Sequence, residues 1–351
     1  MTRRAMGTGP FRFLSRIPDT EIRSERFDDY PIGRDARYGP RLPFVKTLVQ
    51  RVMPEVQARV AALEAGELEV AWNVTVDVAK SFEGRRGYSV FYLQNDQPIV
   101  LTIDTFWDRD PATGAPNPWK DIRVRRAANM AIDMDTIIRT LLFGKEPYSY
   151  GFSRFTVGLP KEELERMRYR YDPAQARRLL SEAGYADGFD TVIMAPVGRW
   201  PNNEQVVQAI ANYLRQVGIR ASVQLVQYQQ FITQLGERPF RGLIFTGIAG
   251  GVDPSVPARF QVHSKAPYVH YFDPQLSPQL DALIEQIEGE FDPARRNRLV
   301  ADLVKKVYEN ANFVFLYEPT YAGIARGNVS YDVYFPTVFY PEYWNIKVLK
   351  S

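Results

Sequence analysis

The chain has 351 residues, 45% of them hydrophobic and 24% charged, with a net charge of +3 spread along its length. This is the composition of an ordinary globular protein with ample apolar surface to bury, and it exceeds the roughly 250–300 residues at which one core stops growing, so two lobes are expected. The weak positive charge argues against a nucleic-acid partner, and the absence of cysteine removes disulfides, thiol nucleophiles and thiolate metal sites.

Residues 10–14, 22–27 and 46–53 read as strands, and 54–65 as a helix with Pro54 at its start and Gly66 at its end. A short strand follows over 67–72. The segment 108–120, DRDPATGAPNPWK, carries three prolines and a glycine and reads as a boundary loop. Beyond it helix and strand alternate. Asp172-Pro173 opens a helix with Ala176, Leu179, Leu180 and Ala183 on one face, and Asn202 or Asn203 opens another with Val206, Val207, Ile210, Leu214 and Val217 inward. Strands at 219–225 and 242–246 lead into GIAGGVDP (247–254). Helices at 278–288 and from Asp292 to about 310, then the strand FVFLY (313–317), complete an α/β lobe over about 104–320.

Catalytic signatures are missing: there is no GxSxG, HExxH or Walker A loop, and Gly144-Lys145 runs into Glu146. His263 and His270 are the only histidines, too few for an imidazole-rich metal site; neither metal nor cofactor is expected. No apolar run approaches the about 18 residues of a membrane span, and MTRRAMGTGPFRF lacks the apolar stretch of a signal peptide.

Several segments in order resemble the bacterial ABC-transporter solute-binding proteins of family 5, the oligopeptide- and dipeptide-binding group. They are GTGPFRF (7–13), RVMPEVQARVAALEAGELEVAW (51–72), DIRVRRAANMAIDMDTIIRTLLFGK (121–145), YDPAQARRLLSEAGYADGF (171–189), the helix running into GIRASV (218–223) and DPARRNRLVADLVKKVYENANFVFLYEP (292–319). The resemblance implies a type II periplasmic-binding-protein-like fold of two α/β lobes that close on a ligand. Residues 1–103 and 321–351 would form the first lobe and 104–320 the second. In the family GTGPF lies well inside the chain, so this sequence resembles the C-terminal two thirds of such a protein and its first lobe is expected to be incomplete at the N-terminus.

The resemblance further implies a non-enzymatic, monomeric binding component, periplasmic or at the cell surface, that carries a peptide or peptide-like solute to a membrane permease powered by an ATPase. A sensory binding protein of the same fold and a two-carboxylate glycoside hydrolase are the alternatives. Candidate ligand residues are Ile248, Ala249, Gly250, Gly251 and Asp253 in the glycine-rich loop, Arg199 and Trp200, Tyr228, and Trp107 near a crossing segment. In peptide-binding relatives the loop carries an acid for the ligand amine; Ile248 and Gly251 stand at the corresponding places here, leaving Asp253 as the loop's one acid. The same loop also reads as a plain turn with Asp253 as a helix cap, Trp200 as a core residue and Trp107 as hinge filling.

Overall fold

The computed structural model describes residues 7, 9–30, 43–95, 97–110, 113–151, 159–236, 242–248, 253, 255–266, 272–331 and 346–349. The chain divides into two compact units, Met1–Leu93 with Tyr321–Ser351, and Gln94–Thr320.

In the smaller unit β1 (Phe11–Ile17), β2 (Glu21–Arg26) and β3 (Thr47–Arg51) pair antiparallel in that order. Nearly all of β1 is exposed, including Phe13, Leu14 and Ile17. Helix α1 (Val56–Ala65) ends where Gly66 turns left-handed at φ 81°, its N–H returning to the Leu63 carbonyl. A second sheet of β4 (Val70–Val74), β5 (Tyr88–Gln94) and β11 (Thr320–Arg326) has the order β4-β11-β5. One face of it buries Ala71, Val74, Ala322 and Ile324 against Val60 and Leu63 of α1 and Ala79 of α2 (Val76–Lys80). A short antiparallel pair, β12 (Val329–Tyr331) and β13 (Ile346–Val348), belongs to the same unit.

The larger unit is built on five strands, β6 (Ile99–Ile103), β7 (Phe189–Pro196), β8 (Ile219–Val226), β9 (Leu243–Gly247) and β10 (Phe313–Tyr317), in the order β10-β6-β9-β7-β8. β7 runs parallel to β8 and β9, whereas β6 is antiparallel to both of its neighbours. The division of the sequence had assigned 94–103 to the first lobe. The contacts instead make β6 an interior strand of the larger unit, where all five of its residues, Thr102 included, are buried.

Both faces of this sheet are covered. Ile99, Leu101, Ile103, Val314 and Leu316 point to a core shared with α3 (Ile122–Ala131), α4 (Met134–Thr140), α6 (Pro173–Glu182) and α7 (Asn203–Gln216). The alternate residues Val100, Phe313 and Phe315 point to a second core with α5 (Lys161–Met167), α9 (Ser255–Gln261), α10 (Ser277–Gly289) and α11 (Pro293–Asn310). Met194 and Ile244 are covered by α8 (Tyr228–Gly236). Continuous apolar strands are what two-sided burial demands, and each fully buried Leu or Ile contributes roughly 1.5–3 kcal/mol.

The expected caps form. Asp172 accepts from Gln175 N–H and Asp292 from Arg295 N–H, both at 2.8 Å, with Pro173 and Pro293 at the first turns where no N–H is missed. Among the described residues no helix is long and apolar enough to cross a membrane.

Candidate ligand site

Open α/β sheets place ligands outside the carboxyl ends of their parallel strands. In the larger unit that edge is the end of β7, β8 and β9, joined by the start of antiparallel β6, since Ile99 pairs with Gly247. The residues leaving these strands are Arg199 and Trp200 after β7, Tyr228 after β8, and Ile248 after β9.

The loop after β7 is tightly held. Val197 N–H extends the parallel ladder to Val226 O at 2.9 Å, and Gly198, at φ 63°, donates its N–H to Glu204 Oε1 at 2.7 Å. The buried Asn203 amide donates to Pro196 O at 2.5 Å and accepts from Trp200 N–H at 3.4 Å, so one side chain spans the loop. The Arg199 guanidinium then lies over the Tyr228 ring at 4.9 Å and toward Trp200 at 5.5 Å. Tyr228, the first residue of α8, is 41% exposed and stacks on Phe231.

Trp200 is 5% exposed, meets Phe245 edge-on at 5.9 Å and donates its indole N–H to Gln97 Oε1 at 3.2 Å. It is a core residue at the edge. Ile248 is also turned inward: its N–H binds Pro98 O at 2.8 Å and its side chain packs beside Phe272 and Ala258. Ala249, Gly250 and Gly251 lie outside the described residues.

Asp253 is engaged. Both of its oxygens take hydrogen bonds from Arg296 Nη2, and Oδ1 accepts from the Ser255 N–H and hydroxyl at 2.9 and 2.7 Å. Burial raises its pKa, but Arg296 and Ser255 outweigh that and hold it below the usual carboxylate value. The charge of Asp253 is matched by Arg296, and its side chain binds the first N–H of α9, as the helix-cap reading of this residue expects.

Trp107 lies at the opposite edge. It follows the end of β6, where Ile103 pairs with Leu243 at the start of β9, and Asp104 N–H binds Gly242 O. Its ring meets Phe106 edge-on at 5.0 Å and its carbonyl accepts from Asn117. The antiparallel direction of β6 therefore separates it from Arg199 and Tyr228. His263 is buried with Nδ1 accepting from Lys265 N–H, and His270 lies outside the described residues. Among the described residues no three His, Asp or Glu side chains gather as a metal site would require.

Residues 2–267 match the profile of the bacterial extracellular solute-binding proteins, family 5 Middle. The chain belongs to this family. A glutathione-binding protein of Pectobacterium atrosepticum is 25% identical over 322 residues, covering 89% of this chain and 58% of the relative. A putative ABC transporter peptide-binding protein of Brucella melitensis is 26% identical over 361 aligned residues, covering 97% and 63%. The ABC transporter-associated periplasmic binding protein DppA of Helicobacter pylori, solved in complex with the peptide STSA, shares the fold with a TM-score of 0.77 at 22% identity, covering 98% of this chain and 63% of that one. The chain thus spans about three fifths of the length of these family 5 relatives. Asn203, read from the sequence as a possible helix opener, holds the edge together with Gln97, which the sequence reading does not single out. The one signal is a polar pair, Asn95 and Gln97, shortly before the largely apolar β6.

Proposed function

We propose that this chain acts as the solute-binding part of an ABC importer, taking a peptide or peptide-like solute outside the cytoplasmic membrane and passing it to a permease driven by an ATPase. The observation that carries the reading is the family match over residues 2–267. Recognition needs no nucleophile or acid/base pair, so the protein works as a monomeric binder without cofactor, metal, nucleic acid or turnover.

On this reading Arg199 meets a carboxylate of the solute while Tyr228 supplies an aromatic surface beside it. A guanidinium already oriented by an aromatic ring loses less freedom when it binds. With Asp253 matched by Arg296, this edge holds its solute by the carboxylate end. Calorimetry with glutathione, short peptides, opines and sugars tests it. Peptides with a free carboxylate should bind, and Arg199→Ala should weaken them about ten- to a hundredfold while barely affecting their C-terminal amides. Binding of sugars alone, or of no solute in the panel, would overturn the reading.

A further inference from the structure

We propose that Gln97 is the positioning residue for Arg199, tying the Arg199-Trp200 loop to the segment by which the chain enters the larger unit. The inference rests on the reading that Arg199 meets the solute.

Gln97 stands three residues after Gln94, the first residue of this unit, and is 8% exposed. Its N–H binds Asn95 Oδ1 at 3.1 Å, and Asn95 N–H binds Pro319 O at 2.8 Å, so the incoming and outgoing segments are held side by side at this point. From there the Gln97 side chain crosses the end of β9 and accepts the Trp200 indole N–H at 3.2 Å. The crossing is open only because residue 247 is glycine: a Cβ on Gly247 would lie 2.7 Å from Gln97 Cδ and 2.9 Å from both Cγ and Oε1. Three elements therefore meet at one buried amide.

The loop's own hydrogen bonds, through Asn203 and Glu204, fix its ends and leave the indole to Gln97. Without that acceptor a buried N–H has no partner, and the indole gains by turning toward water. Arg199 immediately precedes Trp200 and lies against its ring, so its place over Tyr228 follows where the indole packs. Gln97 thus sets the orientation of Arg199 through Trp200.

The test uses the full chain and reads position before binding. In the ligand-free protein the Arg199 Nε–H resonance should carry a ring-current shift from Tyr228, and the Trp200 indole N–H a hydrogen-bonded shift. Gln97→Met should move both, Gly247→Ala should do the same by displacing Gln97, and Gln97→Glu, which keeps the acceptor, should restore both. Affinity for a free-carboxylate tetrapeptide should fall roughly three- to thirtyfold in the first two variants and recover in the third. An Arg199 resonance that stays put while the indole moves would overturn the proposal and leave Gln97 a packing residue. Unchanged affinity in Arg199→Ala would instead overturn the functional reading, with the resonance shifts still deciding the positioning role.

Discussion

Arg296, on α11, holds both carboxylate oxygens of Asp253 through a single guanidinium nitrogen, at 2.6 and 2.7 Å. The pair joins α11 to the start of α9 and matches the charge of the one described acid of the strand-end loop. Asp253 is 46% exposed on its side chain, so solvent screening limits the contribution of the pair. Asp253→Asn should cost about 1 kcal/mol of stability, read as a melting shift of a few degrees, and leave peptide affinity unchanged. The folded pKa is lowered, so this stability is present above the unfolded value near about 3.9 and is lost as pH falls through the folded value. Melting temperatures of the two proteins should therefore converge in strong acid. A tenfold loss of peptide affinity at unchanged melting temperature would return Asp253 to the site.

The outer end of the Phe91 ring, Cζ with both Cε atoms, sits against Gly323, where any Cβ would collide with it. There it stacks on Trp72 at 5.8 Å and 13° and leans on Tyr331 at 4.9 Å, while Tyr321 also stacks on Trp72 at 6.3 Å. Gly323→Ala should force the ring aside, costing about 1–3 kcal/mol in urea unfolding. The near-ultraviolet dichroism of Trp72 should weaken in parallel, and retention of both would show that the sheet can shift to make room.

Gly188 and Gly184 separate two reasons for glycine. Both have positive φ, 73° and 88°, but a Cβ at 188 would strike the Gly218 carbonyl while one at 184 meets nothing within 4 Å. Gly184→Ala should cost about 1 kcal/mol, the left-handed penalty alone. Gly188→Ala should cost at least about 2 kcal/mol, since overpacking adds to the same penalty where β7 begins beside β8. Equal losses in thermal unfolding would mean that the backbone relaxes freely at 188.

Amide exchange should be faster in β1 than in α7. β1 is an edge strand in its described sheet with six of its seven residues exposed, whereas α7 buries Asn203, Val206, Val207, Ile210, Ala211 and Leu214. Local opening follows buried apolar contact, so α7 should be protected close to the global limit. Slower exchange over residues 11–17 than over 203–216 would contradict this.

The helix limits were legible in the sequence because their chemistry is local. An Asp three residues before the N–H it caps, a proline where no donor is needed and a glycine where the chain turns left-handed act within one turn, as at Asp172, Asp292 and Gly66. Periodicity likewise shows which side of α6 and α7 faces inward. What it left undetermined was which partner lies opposite. Asp253 reads as a free acid until α11 brings Arg296 from 43 positions away, and Trp200 reads as a ligand platform until Gln97, 103 positions away, takes its indole N–H. Trp107 and Arg199 look equivalent in the chain, yet the antiparallel run of β6 between β9 and β10 sends them to opposite ends of the sheet. Strand order and direction depend on packing between segments distant in sequence, and no local pattern encodes them; only the tertiary structure decided which candidates share an edge.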